Sequence, residues 1–534
     1  MDCIQIPYKE TGYFSKIMLD YLEQKKSIQP FYHRFPSIDN FEAQIQEKSD
    51  SFPVESRKVL VNALEQQYQN ITLSTLTQHN INNLVLPNTF TITTGHQLNL
   101  FSGPLYFLYK IVSVINLCKE LKEKYPKQNF VPIYWMASED HDFEEIQYFN
   151  FKSEKVIWEK EAGGAVGRLS TDGLEAVFET FSSLLNSSIN ANELRELFKK
   201  AYLEHDHLTE ASRYLVNELF GEYGLVVVDG DDQQLKSLFK PYALQELKEQ
   251  TSFKEVTRTS EQLARESYPN QVHPREINLF YIGNGYRERI LKKDDVYTVN
   301  NTSLSFSSAE AIFEEKENVT DVISGNALLR PLYQEVILPN LCYVGGGGEL
   351  AYWMQLKSTF KAFNIPFPML LMRNSALLVT KKQQKKSEKL NLTLQELFLS
   401  QNELISKKVN EKSNIHFDFE SKRKQLEENF KELEMLASKT DASFIGAVKA
   451  QEKKQLKGLD HLEKRLLKAE KKKMYDLVTR IELLQNELFP NQSLEERQRN
   501  FADYYESYGK ELLIILFKSL KPLEQQFTVV YLPA

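Results

Sequence analysis

From about Lys381 to Pro490 the chain loses nearly all glycine and proline and becomes rich in Lys, Glu, Leu and Gln, the composition of long exposed helices. No other stretch restricts the fold as much. Phe419, Leu426, Phe430, Leu433 and Ala437 lie seven, four, three and four residues apart, the spacing of a heptad seam. Beyond the turn SKTDAS, with Asp441 or Ser443 as candidate caps, Leu459, Leu462, Leu466 and Ala469 continue it. Leu477, Ile481, Leu484 and Leu488 resume it after a shift that reads as a stutter. Neither helix can bury its seam alone, so the spacing predicts that the two fold back on each other. A second helix over 443–488 is about 70 Å long at about 1.5 Å per residue, so it should protrude from a compact body.

The rest of the chain has a different texture. TFTITT from Thr89, VPIYWMA at 131–137, GLVVVDG at 224–230, LCYV at 341–344 and FPMLLM at 367–372 are short apolar runs bounded by turns, as buried parallel strands are. PLYFLYKIVSVINLCKELKEKY after Gly103 has helical length and periodicity, with Pro104 early, where a helix tolerates it. Strand, glycine turn, helix and strand make a βαβ unit, so an α/β class with a Rossmann-like parallel sheet, helical connecting insertions and a long antiparallel coiled coil is expected. The divisions expected are a core over 1–382 with insertions near 151–215 and 245–325, the coiled coil over 383–490, and a segment over 491–534 whose FTVVYL returns to the core. At 534 residues more than one structural unit is needed. The Phe31, Tyr32 and Phe35 cluster near the start reads as an anchor onto the main body.

The charge balance of 66 basic against 73 acidic residues leaves no positive field for a nucleic acid backbone. Cys3, Cys118 and Cys342 are too scattered for a disulfide framework or a thiolate metal site. MDCIQIPYKETGYF carries neither a basic start nor a long apolar run, and LLIILF at 512–517 is far too short to span a bilayer, so a cytoplasmic protein without membrane or nucleic acid partners is expected.

Polar residues gather where strands end. Thr93-Thr94-Gly95-His96-Gln97 stands between a strand and a helix, where glycine admits close approach and His96 can hydrogen-bond a phosphate oxygen. Ser138-Glu139-Asp140-His141-Asp142, with Glu144 and Glu145, follows VPIYWMA; such a set can place a base, orient an amine or hold a divalent metal, or be a solvated loop in which Asp142 caps a helix. Gly345 to Gly348 and Glu349 follow LCYV, and this run either cradles a ligand or is a flexible connector. Arg330 and Arg373 are candidates for gripping a carboxylate or phosphate, against the alternative of structural ion pairs. The segments beginning at Gly95, Glu139 and Gly345 are expected to face one pocket.

TTGHQLNLFSGPLY at 93–106, YWMASEDHDFEEI at 134–146, NALLRPLYQEVILPNLCYVGGGGELAYW at 326–353, FPMLLMRNS at 367–375 and LFPNQSLEERQRNFADYYESYG at 488–509 together resemble the cysteine-adding enzymes of bacillithiol biosynthesis. The resemblance covers nearly the whole chain. It implies a core related to nucleotidyltransferases and class I aminoacyl-tRNA synthetases, whose first signature falls on Thr93, Thr94, Gly95 and His96. Their second, lysine-rich signature has no counterpart, Lys381 and Lys382 being the nearest lysines. The implied activity is addition of L-cysteine to the amine of glucosaminyl-malate, with ATP activating the cysteine carboxylate, in a homodimer joined through the coiled coil. On this reading His96, Asp140 and His141 act in catalysis. Thr93, Gly95, Gln97, Asn99, Gly103, Glu139, Arg330, Gly345, Gly346, Gly347, Glu349 and Arg373 bind substrate or nucleotide, and no metal ligand is assigned. A tRNA-linked transferase or nucleotidyltransferase, and a non-catalytic coiled-coil scaffold, are the competing readings.

Overall fold

Runs of β-branched and aromatic residues fill both faces of a buried sheet, and five of the runs above do so here. In the computed structural model, which describes residues 3–294, 296–314, 322–413, 419–440 and 442–533, they are β1 (Thr89–His96), β2 (Asn129–Met136), β3 (Val226–Asp229), β4 (Asn340–Gly345) and β5 (Met369–Met372). Every neighbouring pair is parallel, and the order across the sheet is β3-β2-β1-β4-β5. The chain winds outward from β1 to β3, then restarts on the other side at β4. The crevice between the carboxyl ends of β1 and β4 is therefore where the winding reverses, the place at which open α/β sheets take ligands.

Helix α1 (Tyr106–Lys124) returns the chain from β1 to β2. Val114, Leu117 and Leu121 pack with Phe90 and Ile92 of β1 and Cys342 and Val344 of β4, in a layer that Phe41 and Ile45 close. Thr93 Oγ1 donates to Asn340 Oδ1 (2.8 Å) and Thr94 Oγ1 to the Val344 carbonyl (2.7 Å), so the two strands flanking the crevice are tied by side chains as well as by the ladder. Helices α2 (Arg330–Ile337) and α3 (Gly347–Trp353) bracket β4. Residues 151–215 hold the helices Leu174–Leu184 and Ile189–Leu203 and most of Leu208–Phe220. The turn-rich stretch near 245–325 contains a five-stranded sheet, antiparallel throughout, from Leu279–Gly283 to Ile323–Gly325, in place of a helical connecting insertion.

The coiled coil is built from α4 (Phe419–Ala437) and α5 (Ala442–Lys473), with α6 (Tyr475–Leu488) leading back. Three details differ from the sequence expectation. The long second helix is interrupted at Met474 (φ −99°, ψ 33°), where the heptad shift falls. The buried seam is Phe430, Ala437 and Val448 with Leu426 and Ile445 against it, while Leu433, Leu462 and Ala469 are exposed. Ser443 lies inside the first turn of α5, and Asp441 lies outside the described residues. After α6 the chain crosses the body again, and its last strand, Phe527–Tyr531, pairs with Ala376–Val379 and with Cys3–Ile6. Phe31 and Tyr32 are buried, with Tyr32 against Tyr21 and Phe35. Among the described residues no helix is long and apolar enough to cross a membrane.

Candidate active site

A cavity of about 560 Å³ opens at the switch point, lined by residues that follow β1, β2, β4 and β5. Gly95 sits where any side chain would press on its surroundings: a Cβ there would stand 3.1 Å from the Tyr343 hydroxyl and 3.7 Å from Arg330 Nη1. Glycine thus lets the Tyr343 hydroxyl of β4 and the Arg330 guanidinium of α2 reach the end of β1.

One side of the cavity is basic. Lys110 of α1 is 3% exposed, donates to the Gly95 carbonyl (2.7 Å) and lies 2.7 Å from Glu349 Oε2. Glu349 also accepts from the Gly346 N–H (2.8 Å) and the Tyr343 hydroxyl (2.8 Å). Burial works against its charge, but Lys110 and these donors hold its pKa below the ordinary carboxylate range. Arg330 donates to Gln334 Oε1 (3.1 Å) beside Tyr343 and Tyr352; among the described residues these are its partners rather than a carboxylate. Arg373 is paired with Glu496 Oε1 at 2.6 Å, and both side chains are buried. Its Nε nevertheless has no partner, and neither has Nε2 of the buried His96. Burial pushes the imidazole pKa of His96 well below its usual value, and the Lys110 and Arg373 charges push the same way, so the ring is neutral. Two buried, unanswered polar atoms in the wall of one cavity call for a ligand that answers them.

The other side is acidic. Glu139 stands 2.9 Å from Lys236 Nζ, and Lys236 also holds Asp231 at 2.6 Å. Asp140 accepts from Gln97 Nε2 (3.0 Å) and from the His141 backbone N–H (2.8 Å). Burial opposes its ionisation, yet the His141 and Gln97 hydrogen bonds and the Arg287 charge hold its pKa far below the usual range. His141 is half exposed, and its Nδ1 accepts from Arg287 Nη1 at 2.8 Å.

Gly95, His96, Gln97, Glu139, Asp140, His141, Arg330, Gly346, Gly347, Glu349 and Arg373 all line this cavity. Four residues expected to bind do not line it. Thr93 is turned to Asn340 inside the sheet. Gly345 closes β4, its carbonyl accepting from the Arg373 N–H (2.9 Å). Asn99 donates to the Glu145 carbonyl (3.1 Å) and packs against Gly103, which stands at φ +62° directly after Phe101 (φ 48°) and Ser102 (φ 65°). Asn500 clamps that strained turn through the carbonyls of Phe101 (2.8 Å) and Gly103 (2.7 Å). Asn99 and Gly103 therefore shape the turn behind His96. The later part of the acidic run, Asp142, Glu144 and Glu145, does not line the cavity: Asp142 caps the helix Phe143–Ile146, and among the described residues no three metal-type ligands cluster. Lys381 and Lys382 are exposed and line no part of the cavity.

Lys110, Arg287, Tyr352 and Arg497 line the cavity without having been singled out in the sequence. Lys110 carried a readable signal, a lone cation inside the apolar PLYFLYKIVSV. Arg287 and Arg497 carried none, since each lies in an ordinary polar stretch brought in from elsewhere in the fold.

Two family models match the chain. Bacillithiol biosynthesis BshC, N-terminal Rossmann-like domain, covers residues 1–374, and the BshC C-terminal coiled-coil domain covers 376–532. A Flavobacterium johnsoniae protein named "Putative cysteine ligase BshC" is 55% identical over 529 residues, 99% of each chain. A protein of the same name from Cytophaga hutchinsonii is 38% identical over 97% of each. An arginyl-tRNA synthetase structure from Plasmodium falciparum aligns with 81% of this chain and 75% of its own at 12% identity, with a TM-score of 0.25 that supports no argument. Matched along both its sheet and its coiled coil, the chain belongs to the bacillithiol biosynthesis BshC family.

Proposed function

We propose that this chain is a ligase that joins the carboxyl group of L-cysteine to the amine of glucosaminyl-malate, forming bacillithiol with ATP as the activating co-substrate. The observation that carries this reading is the division of one cavity into a basic and an acidic side at the topological switch point. A reaction between an amine and an activated carboxylate needs both: cations for phosphate and malate, and carboxylates for the amine. The relatives' printed names, which describe cysteine ligases, agree.

The residues present fit an anionic co-substrate, because Lys110 is a buried cation in the cavity wall at the end of β1. ATP supplies the leaving group that makes amide formation from a carboxylate favourable. Lys110 stabilises phosphate charge as a preorganised group does, while neutral His96, which gives its ring N–H to the Ser102 backbone, offers Nε2 as an acceptor to a hydroxyl or N–H of the bound group. Arg330, Arg373 and Arg497 hold the malate carboxylates. Asp140, kept ionised, and His141 orient the sugar amine. Free Cys3, Cys118 and Cys342 suit a reducing cytoplasm. Leu433, Leu436 and Leu462, all more than 40% exposed, suit a coiled coil that pairs with a second copy. Mass-spectrometric detection of bacillithiol from cysteine and glucosaminyl-malate, with and without ATP, tests the reading. Product only with ATP is expected; no product under either condition would remove the assignment.

A further inference from the structure

Amide formation leaves a proton on the attacking nitrogen, and three side chains on the acidic wall compete to receive it. Asp140 is ill suited to the task, because Gln97 and the His141 backbone N–H each hold one of its oxygens and, with the Arg287 charge, keep it ionised. His141 spends Nδ1 on Arg287, which places the ring proton on Nε2 and leaves no free lone pair.

Glu139 is built differently. It is 7% exposed and lines the cavity directly after β2. Lys236 Nζ fixes Oε1 at 2.9 Å, and the same ammonium is held at 2.6 Å by Asp231. Arg168 grips Asp231 through two bonds of 2.6 and 2.8 Å, and the Asp231 N–H donates to Asp229 Oδ1 (2.9 Å). The charged and titratable groups facing Glu139 are thus Lys236 on the helix Gln233–Glu249, Asp231 after β3, Arg287 on the antiparallel sheet and Tyr333 on α2. Burial raises the Glu139 pKa and Asp231 raises it further; Lys236 and Arg287 oppose them, and the net displacement is upward. A cavity-lining carboxylate fixed by one ion pair, with its pKa raised by burial, is a stronger base than its acidic neighbour Asp140.

We propose that Glu139 is the catalytic proton acceptor for the attacking amine and that Lys236 is its positioning residue, an assignment resting on the ligase reading above. The nitrogen lone pair forms the C–N bond to the activated cysteine acyl carbon. The bond from that carbon to the bridging oxygen, originally one of the carboxylate's own and now carried on the ATP-derived phosphoryl group, breaks with its electron pair, and one N–H proton passes to the Glu139 carboxylate.

The test uses the full chain with Glu139→Gln and Asp231→Asn, both close in shape to the native residues. Glu139→Gln is expected to lower kcat by at least about 100-fold with KM for glucosaminyl-malate held within about threefold. Asp231→Asn, which removes the charge that raises the Glu139 pKa, is expected to move the acidic limb of the kcat/KM profile to lower pH. Glu139→Gln with nearly unchanged kcat, or an unmoved limb in Asp231→Asn, overturns the assignment, and the second variant decides if the first does not fold. A wild-type chain that forms no product removes the ligase reading and this assignment with it. An active wild type with an active Glu139→Gln removes this assignment alone.

Discussion

The switch-point cavity and the coiled coil handle charge in opposite ways. At the cavity Lys110 and Glu349 meet at 2.7 Å and Arg373 and Glu496 at 2.6 Å, out of water in each case but for a partly open Glu349. On the coiled coil Arg423 of α4 reaches Asp460 (2.9 Å) and Glu463 of α5 on a flank where both carboxylates remain in solvent. Water satisfies any charge the coil leaves over, so its ion pairs set register and little else. At the sheet edge nothing replaces a missing partner, and the unanswered His96 Nε2 and Arg373 Nε mark where a bound group must go. Function therefore follows desolvation more closely than it follows the number of charges.

The sharpest way to break this contrast is Glu496→Ala. Glu496 is fully buried, accepts from Arg373 and from Ser375 Oγ (3.0 Å), and takes the Ala376 N–H (3.1 Å). Removing it strands a buried guanidinium, expected to cost about 3–5 kcal/mol of unfolding free energy. Equilibrium denaturation reads the loss, and a cost like that of an exposed pair would abolish the distinction between the two regions. The variant also loosens the Arg373 fork in the cavity, so binding of the malate-bearing substrate should weaken with it.

Next in size is His96→Ala. Loss of one preorganised donor or acceptor at a reacting group typically costs about 100-fold or more in kcat, and that loss is expected here. The His96 ring also packs beside Tyr106 and Phe107, with centroids 5.4 and 5.0 Å away, so the unfolding curve must be measured alongside turnover. A folded variant with native turnover would show that the unpartnered Nε2 answers no ligand.

The same contrast explains which parts of the fold are legible in the sequence. The five strands of the parallel sheet were legible because a strand buried on both faces is a continuous apolar run, and polar residues after Gly95, Met136 and Gly345 stand out against it. The antiparallel sheet was not legible: strands such as Tyr286–Lys293 are mostly half-exposed and mix charges with apolar residues, so Arg287 looked like surface. Glu496 and Arg497 sit in SLEERQRN, an unexceptional polar stretch, and only the return of the chain past α6 sets Glu496 against Arg373, 123 residues earlier. In the coil the three-four spacing was visible but its frame was not. Leu462 and Ala469 differ by one residue from Glu463 and Glu470, which lie nearer the seam, and only the partner helix decides between frames so close.

That one-residue ambiguity yields the smallest expected effect and the most discriminating. Leu433, Leu436 and Leu462 are 44, 58 and 55% exposed, outside the seam that holds α4 to α5. Changing all three to Gln should alter the unfolding free energy of the single chain by no more than about 0.5 kcal/mol per site, because within it each leaves an environment already wet. Turnover at the cavity should be unchanged, since none of the three lies among its walls. If a second copy covers these leucines, sedimentation should show the variant shifted from dimer to monomer at a concentration where the native chain is dimeric. A dimer that persists would place the contact on another face of the coil. A fall in turnover without a change in mass would mean that the coil's surface reaches the cavity through α6 and Glu496, and the two regions would then have to be treated as one mechanical unit.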